Sequence, residues 1–424
     1  MIAILFVVFF ASLMASVPVV FSLILGCVVA LLWAGHLPGT IVAQQMVAAV
    51  DSSPLLAIPL FIVFGEMVSR SSLGQRLVAL CQALVGWIRG GLAHANVMAS
   101  IFFGGISGSA TADTVAVGSV MIPQMRKRGY PADFSAIVTC TSSVIGNLIP
   151  PSIDLIIFAW LTGTAVDQLF AAGVIPGLVI GVAIMIMSYW TCVKKGIGER
   201  EPFRFSVLMR TSVAAGPTLL LPLIILGGIF TGTFTVTESA AIALVFGLFL
   251  TKVVYREMSW GQFVEILKAA MISIGSIMLL IAAAKVFGWI LTIERVPQDL
   301  TAFLLTHMNA KPLFAIAIIL VALVTGCFLT PATALIVLTP ILHPIAMAMG
   351  FDVLHFGILL LTALALGHVT PPVGLTLFIA SGLSQTPIDR LIKPLMPFLA
   401  ILIVAVLLVA FIPAITLTLP NMVR

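Results

Sequence analysis

The chain has 424 residues, 61% hydrophobic and only 8% charged, with a net charge of +5 and a mean hydropathy of +1.25. A soluble domain carries about 25% charged residues, so these proportions exclude a water-soluble fold and make lipid the principal solvent. The basic excess sits in short polar breaks, not in a patch interleaved with aromatics; this excludes a nucleic-acid partner and reads as a signal for loops that face the cytoplasm.

Apolar segments run near 2–34, 54–68, 92–123, 134–164, 168–193, 211–231, 236–254, 266–293, 299–306, 313–345, 354–383 and 390–419. At about 20 residues per span, they correspond to roughly ten or more crossings. The first is apolar from its second residue, lacks a basic leader and continues past any cleavage point, so it is read as membrane-embedded structure, not a signal peptide. Cys27, Cys81, Cys140, Cys192 and Cys327 are odd in number and form no CxxC pair; they read as small buried hydrophobes, not disulfides or metal ligands.

Segment 92–123 has Arg89 before it and Arg126-Lys127-Arg128 after it. Both ends therefore prefer the cytoplasm, which predicts a re-entrant hairpin with its tip in Phe103–Ser109. Within Gly104–Thr114 (GGISGSATADT) the glycines let main-chain carbonyls approach a cation, and Ser107, Gly108, Ser109 and Thr111 offer oxygens suited to a hard monovalent ion. A small-residue helix-packing face is the alternative. Asp113 belongs to this stretch, and a carboxylate at membrane depth costs roughly 2.5–3.5 kcal/mol, so it needs a partner.

In 134–164 the pair Pro150-Pro151 must interrupt a helix and strand the carbonyls upstream. Such breaks are tolerated in hydrocarbon only where they are buried in protein or line a cavity, and their freed ends serve as ligands. Asn147 and Ser152 flank the break. The connector Lys194–Arg210 is the most hydrophilic stretch and divides the chain almost in half.

The second half repeats the first. Pro123 and Pro340 lie 217 residues apart; Gly129 and Gly350, Gly146 and Gly367, and the two proline pairs lie 221 apart. Val63-Phe64-Gly65 matches Val286-Phe287-Gly288 at 223. Segment 313–345 is thus the second hairpin, broken at Thr325–Thr333, with Gly326, Thr330 and Thr333 inside the break. Segment 354–383 is the second broken helix, interrupted at Gly367–Gly374 around Thr370, Pro371 and Pro372. Only Lys311 flanks the second hairpin, so it enters from the opposite face. The expected fold is an all-α integral membrane bundle of two inverted repeats: 1–193, a cytoplasmic connector at 194–210, and 211–424.

Asn147, Ser152, His368 and Thr376 are the candidate substrate contacts. Lys285, in the apolar run 266–293, is the obvious candidate for a basic residue that reaches an anion, or else it snorkels or pairs locally. Glu66, Asp154 and Glu238 are functional by location or else structural pairs and interfacial residues. No Ser-His-Asp order, HExxH, P-loop or GxGxxG context is present, which argues against an enzyme and against ATP hydrolysis.

At these residues the chain resembles, over almost its full length, the large membrane subunit of TRAP transporters, the DctM-like family. Residues 104–130 (GGISGSATADTVAVGSVMIPQMRKRGY) are similar to that family's signature; IPPSI at 149–153, TPILHP at 339–344, HFG at 355–357 and TPPVG at 370–374 support the resemblance. It implies an elevator-type carrier in the bacterial inner membrane that is driven by a sodium gradient. It also implies a separate four-helix membrane subunit, a periplasmic solute-binding protein, and a small carboxylate as substrate. By the same resemblance Ser107–Thr111, Pro150-Pro151, Gly326–Thr333 and Thr370–Gly374, including Pro371 and Gly374, form the sodium and substrate sites, to which the reading of the residues adds Asp113 and Thr325 as sodium ligands. The chain departs from the family pattern at Asn147, Thr330, Ala363 and Asp154, residues near the expected pocket.

Overall fold

A computed structural model describes residues 1–35, 39–198, 202–307 and 310–423. They hold helices and turns and no strand, as expected where every backbone N–H and C=O must find a partner without water. Among the described residues seven helices are long and apolar enough to cross a membrane, or eight if Thr40–Val50 and Ser53–Ser69, bent by 66°, form one span. This is fewer than the ten or more that apolar length alone suggests. Glycines and prolines cut much of the apolar material into pieces of 10–17 residues, too short to cross singly.

The opening segment is two helices, Ile2–Met14 and Val19–Ala34, parted near Ser16 at φ 65°. Thr40–Val50 and Ser72–Val85 are helices that the apolar runs leave out, because Gln44, Gln45, Gln75, Arg76 and Gln82 interrupt their hydrophobicity. Within the connector, residues 199–201 lie outside the described residues.

The first hairpin is Gly91–Ser107 and Ala110–Lys127, joined at Gly108–Ser109. Its glycines do not unwind it as expected. Gly104 and Gly105 are helical, and their missing side chains serve close approach instead: a Cβ on Gly104 would stand 2.8 Å from the Cα of Gly146, and one on Gly105 3.4 Å from the Pro150 carbonyl. Only Gly108, with φ 62°, needs the left-handed region. The chain then forms Ala132–Ser143, a 3-10 turn Val144–Asn147, a break at the prolines, and Ile153–Thr162.

The same elements recur in the same order. Lys311–Phe328 and Pro331–Ala348 form the second hairpin, joined at Leu329–Thr330, and Val353–Gly367 and Leu375–Ser384 form the second broken helix. The correspondence extends to detail. Gly129 and Gly350 are both left-handed, at φ 78° and 76°. Tyr130 stacks on Phe134, and Phe351 stacks on His355, each with ring centroids 6.2 Å apart. Pro150-Pro151 and Pro371-Pro372 are both cis.

The open ends of the two hairpins lie at opposite ends of one long helix, Ile388–Phe411. Arg126, at the open end of the first hairpin, donates to the Ser384 carbonyl at 3.4 Å, beside the helix start. At the other end, Lys311 and Gly350 border a cavity with Ala410 and Phe411, and the Lys311 ammonium donates to the Gly350 carbonyl at 2.9 Å. Twenty-four helical residues separate these ends, about 36 Å. Arg89, Arg128, Lys194, Lys195 and Arg204 share the first end: Gly90 packs on Cys192, and Arg128 borders a cavity with Pro202–Arg204.

Gly326→Ala would drive a Cβ into the Leu364 carbonyl, whereas one on Gly382 meets open space. Gly326→Ala is expected to destabilise by about 1–3 kcal/mol and Gly382→Ala hardly at all. Thermal unfolding in detergent checks this; equal midpoints would refute the tight approach.

Candidate functional site

Each hairpin tip is locked to the break of its own half by main chain. The Ile153 N–H donates to the Gly108 carbonyl at 3.4 Å, and the Gly374 N–H donates to the Cys327 carbonyl at 3.2 Å. Glycines pack directly behind both locks: Gly104 on Gly146, and Gly326 on Gly367, where an added Cβ would lie 2.8 Å from the facing Cα. A Cβ on Gly108 would collide with the Pro151 carbonyl. At Gly104, Gly108, Gly326 and Gly367 such contact is open only to bare backbone.

In the first half, Asn147 ties the two elements together. Its Oδ1 accepts the Ala110 N–H at 2.9 Å, satisfying an orphan donor at the start of the second hairpin arm, while its Nδ2 is buried without a partner. Ser152 is fully buried, donates to the Asn147 carbonyl at 2.5 Å and accepts the Leu155 N–H at 3.4 Å, capping the helix that follows the prolines. Both groups thus have structural duties at the positions read as substrate contacts. Among the described residues no N–H reaches the carbonyls of Pro150 and Pro151, so these oxygens keep their acceptor capacity beside the tip. Ser107, Ser109 and Thr111 line a cavity of about 460 Å³ with Gly65, Glu66 and Arg70. Ser109 and Thr111 share a hydrogen bond of 2.9 Å there.

Asp113 lies in the first turn of the second arm and is fully buried, with no hydrogen-bond partner on either carboxylate oxygen. The Ser100 and Ser143 hydroxyls lie beside it, but Ser100 pairs with Ser142 at 2.9 Å and Ser143 donates to the Thr139 carbonyl at 2.8 Å. The helix N-terminus supplies a partial positive charge, and among the described residues no cation pairs with the carboxylate.

The second half has hydroxyls in the same frame. Thr330 and Thr333 share a 2.9 Å hydrogen bond at the tip, and Thr330 caps the second arm. Thr325 donates back to the Val321 carbonyl, and Thr370 to the Leu366 carbonyl at 2.8 Å. Cys327 donates its S–H to the Thr370 carbonyl at 3.0 Å, and Pro371 follows in the break. Thr376 donates to the His368 carbonyl at 2.9 Å, which closes the break. The His368 ring is buried and neither nitrogen has a partner. The structure therefore forms two clusters, one per half. They meet through side-by-side packing of Ala110–Lys127 on Leu375–Ser384 and of Pro331–Ala348 on Ile153–Thr162. Ile379 of the second half also lines the first tip's cavity.

Of the other charges, Glu66 pairs with Arg70 at 3.1 Å at the mouth of that cavity. The sequence left Arg70 unnoticed because it ends a short helix and lies in none of the glycine or proline motifs. Glu238 is exposed and caps its own helix, accepting from the Thr235 N–H at 2.7 Å. Asp154 is 6% exposed in the turn after Ser152. Lys285 does not reach either tip; it lines a separate cavity with His343.

An all-helical membrane chain of paired hairpins and proline-broken helices is the class of secondary carriers. Residues 6–415 match the family described as tripartite ATP-independent periplasmic transporter, DctM component, and the chain belongs to it. It is 37% identical to the sialic acid TRAP transporter large permease SiaM of Vibrio cholerae, over 97% of this chain and 96% of that protein. It is 38% identical to the C4-dicarboxylate TRAP transporter large permease DctM of Pseudomonas aeruginosa, over 87% and 86%. The isethionate TRAP transporter permease DctMQ of Oleidesulfovibrio alaskensis is 37% identical over 97% of this chain but only 65% of that longer protein. In structure, the YdaH transporter of Alcanivorax borkumensis superposes with a TM-score of 0.63 at 15% identity, over 90% of this chain and 88% of YdaH. That likeness concerns the fold.

Asn147→Ala leaves the Ala110 N–H buried without an acceptor, which is expected to destabilise by about 1–3 kcal/mol. Chemical denaturation in detergent checks this; unchanged stability would show that the cap is dispensable.

Proposed function

We propose that this chain is the large translocating subunit of a sodium-coupled, binding-protein-dependent carrier that imports a small organic acid across the bacterial inner membrane. The observation that carries the reading is the doubled lock between hairpin tip and proline break, which gathers main-chain carbonyls, hydroxyls and Asp113 at the middle of the bundle. In a bilayer such broken backbone is tolerated where it handles ions and substrate.

The halves are read as inverted repeats, 1–193 and 211–424. Support comes from the matched detail at an offset of 221 residues and from hairpins opening at opposite ends of Ile388–Phe411. The end bearing Arg89, Arg128, Lys194, Lys195 and Arg204 faces the cytoplasm by the positive-inside rule. Sodium takes the oxygens around Ser107–Thr111, Asp113 and the Pro150-Pro151 carbonyls, with the Gly326–Thr333 and Thr370–Gly374 group as the counterpart. The two hairpins and broken helices, tied together pairwise, move as one body against the remaining helices in an elevator cycle.

A carboxylate fits because relatives are named for sialic acid and C4-dicarboxylates. The word tripartite in the family description supports two partners, a periplasmic binding protein and a small membrane subunit. The latter is a separate chain or, as the name DctMQ suggests for one relative, a fused one. A stand-alone ion-coupled anion carrier of related architecture is the second reading.

Proteoliposomes holding this chain and the small subunit are expected to take up an acid from its loaded binding protein only with an inward sodium gradient. No sodium dependence for any acid would refute the coupling, and uptake without binding protein would select the second reading. Asp113→Asn is expected to raise the half-activating sodium concentration roughly tenfold, the loss of one charged ligand; unchanged activation would remove Asp113 from the ion site.

A further inference from the structure

Lys285 lies well inside the helix Trp260–Ile293, eight residues before its end, about 12 Å by helical rise. A lysine at that depth is costly unless it is paired or faces a water-filled space. Glu66–Arg70 is the one ion pair among the described residues, so Lys285 has no carboxylate partner there. Its ammonium instead lies 5.9 Å from the centroid of the Trp160 ring. It borders a cavity of about 400 Å³ whose walls include Gln45, Trp160, Trp289, Thr339 and His343, and no acidic residue lines it. Thr339 is only 1% exposed, and its hydroxyl has no hydrogen-bond partner.

This cavity shares part of the repeated frame with the tip's cavity, but it lies farther along its hairpin arm, at Thr339–Pro344 and away from the tip. Gly65 and the second arm of the first hairpin bound one; Gly288 and the second arm of the second hairpin bound the other. Gly65 and Gly288 end the matching Val-Phe-Gly triplets. Each cavity has one cation, Arg70 or Lys285. In the first, Glu66 already neutralises the arginine at 3.1 Å; in the second, nothing does so.

We propose that the Lys285 cavity is a second anion site, a waiting position for the carboxylate of a small hydroxylated acid on the face opposite the basic end. Lys285 supplies the charge, and Gln45, His343 and Thr339 supply neutral hydrogen-bonding groups. Trp160 and Trp289 offer flat faces for the apolar side of the ligand, the usual composition of a small-molecule site. The volume accommodates an acid of a few to about twenty heavy atoms, within the usual range of about 300–1,000 Å³. The assignment rests on the carrier reading for its transport role, but the binding itself does not.

The site can be read with a reporter thiol. Thr292 lies two turns beyond Lys285 on the same helix face, is exposed and lines the cavity, and its hydroxyl only bonds back to the Gly288 carbonyl. The five native cysteines are buried. In Thr292→Cys, a sulfonate-bearing methanethiosulfonate is expected to react faster than the trimethylammonium analogue, relative to their ratio on a free thiol. Adding Lys285→Gln should lower that ratio roughly tenfold, as expected for one charge about 10 Å away, and Lys285→Arg should keep it. Succinate added to Thr292→Cys with Lys285 intact should slow the reaction, and uncharged succinamide should not. A ratio indifferent to Lys285→Gln, or equal effects of succinate and succinamide, would overturn the site. If Lys285→Gln fails to insert, the succinate and succinamide comparison decides alone. These readouts need no transport, so they stand or fall apart from sodium-driven uptake. In uptake, Lys285→Gln should raise the half-saturating acid concentration several-fold with sodium activation unchanged; an unaltered half-saturation would count against the waiting role.

Discussion

The governing constraint is the backbone's need for hydrogen-bond partners where water is absent. Four interruptions of helix lie in this bundle's interior, and each would be prohibitive on its own. They are tolerated because they answer each other pairwise. The Gly108 carbonyl takes the Ile153 N–H, and the Cys327 carbonyl takes the Gly374 N–H. Glycine faces glycine behind both contacts, so the main chains come close enough for these bonds to form. The helices around them, among them Trp260–Ile293 and Ile388–Phe411, are unbroken and carry the span.

Much of this architecture was legible in the sequence. Proline pairs forbid continuous helix by covalent geometry, so both broken helices were visible. Spacing between matched glycines exposed the second hairpin from the first. What the sequence misassigned was the use of glycine. Gly104 and Gly105 look like an unwound tip, but they remain helical, because a glycine in a helix can serve a neighbour's approach as well as a turn. Helix content outside the apolar runs was also missed, as at Ser72–Val85, where burial is one-sided and Gln and Arg occupy the other face. Roles that depend on three-dimensional neighbours were not readable. Nothing in the order of residues places Arg70 beside Ser109, gives the Asn147 side chain to the Ala110 N–H, or keeps Lys285 away from the tips.

The two halves share a frame but not a chemistry. Around Asp113 the first half buries Asn96, Ser100, Thr139, Ser142 and Ser143. The corresponding helix of the second half, Val353–Gly367, buries chiefly leucine and alanine, with Thr362 bonded to its own Ile358 carbonyl. Duplication preserved the backbone solution, and the side chains diverged on top of it. Beside its tip the first half carries the Asp113 carboxylate, where the second half's tip has the Thr330 and Thr333 hydroxyls.

The glycine-on-glycine wedge has a consequence for how such a molecule can change its cargo. Main-chain atoms are the same for every amino acid, and Gly104, Gly108, Gly326 and Gly367 leave no room for a Cβ. Evolution therefore has little chemistry to vary at the lock itself. Diversity among carriers built this way must be written one layer out, in the cavity walls, where a residue such as Arg70 can be exchanged without disturbing the joint that holds the chain together.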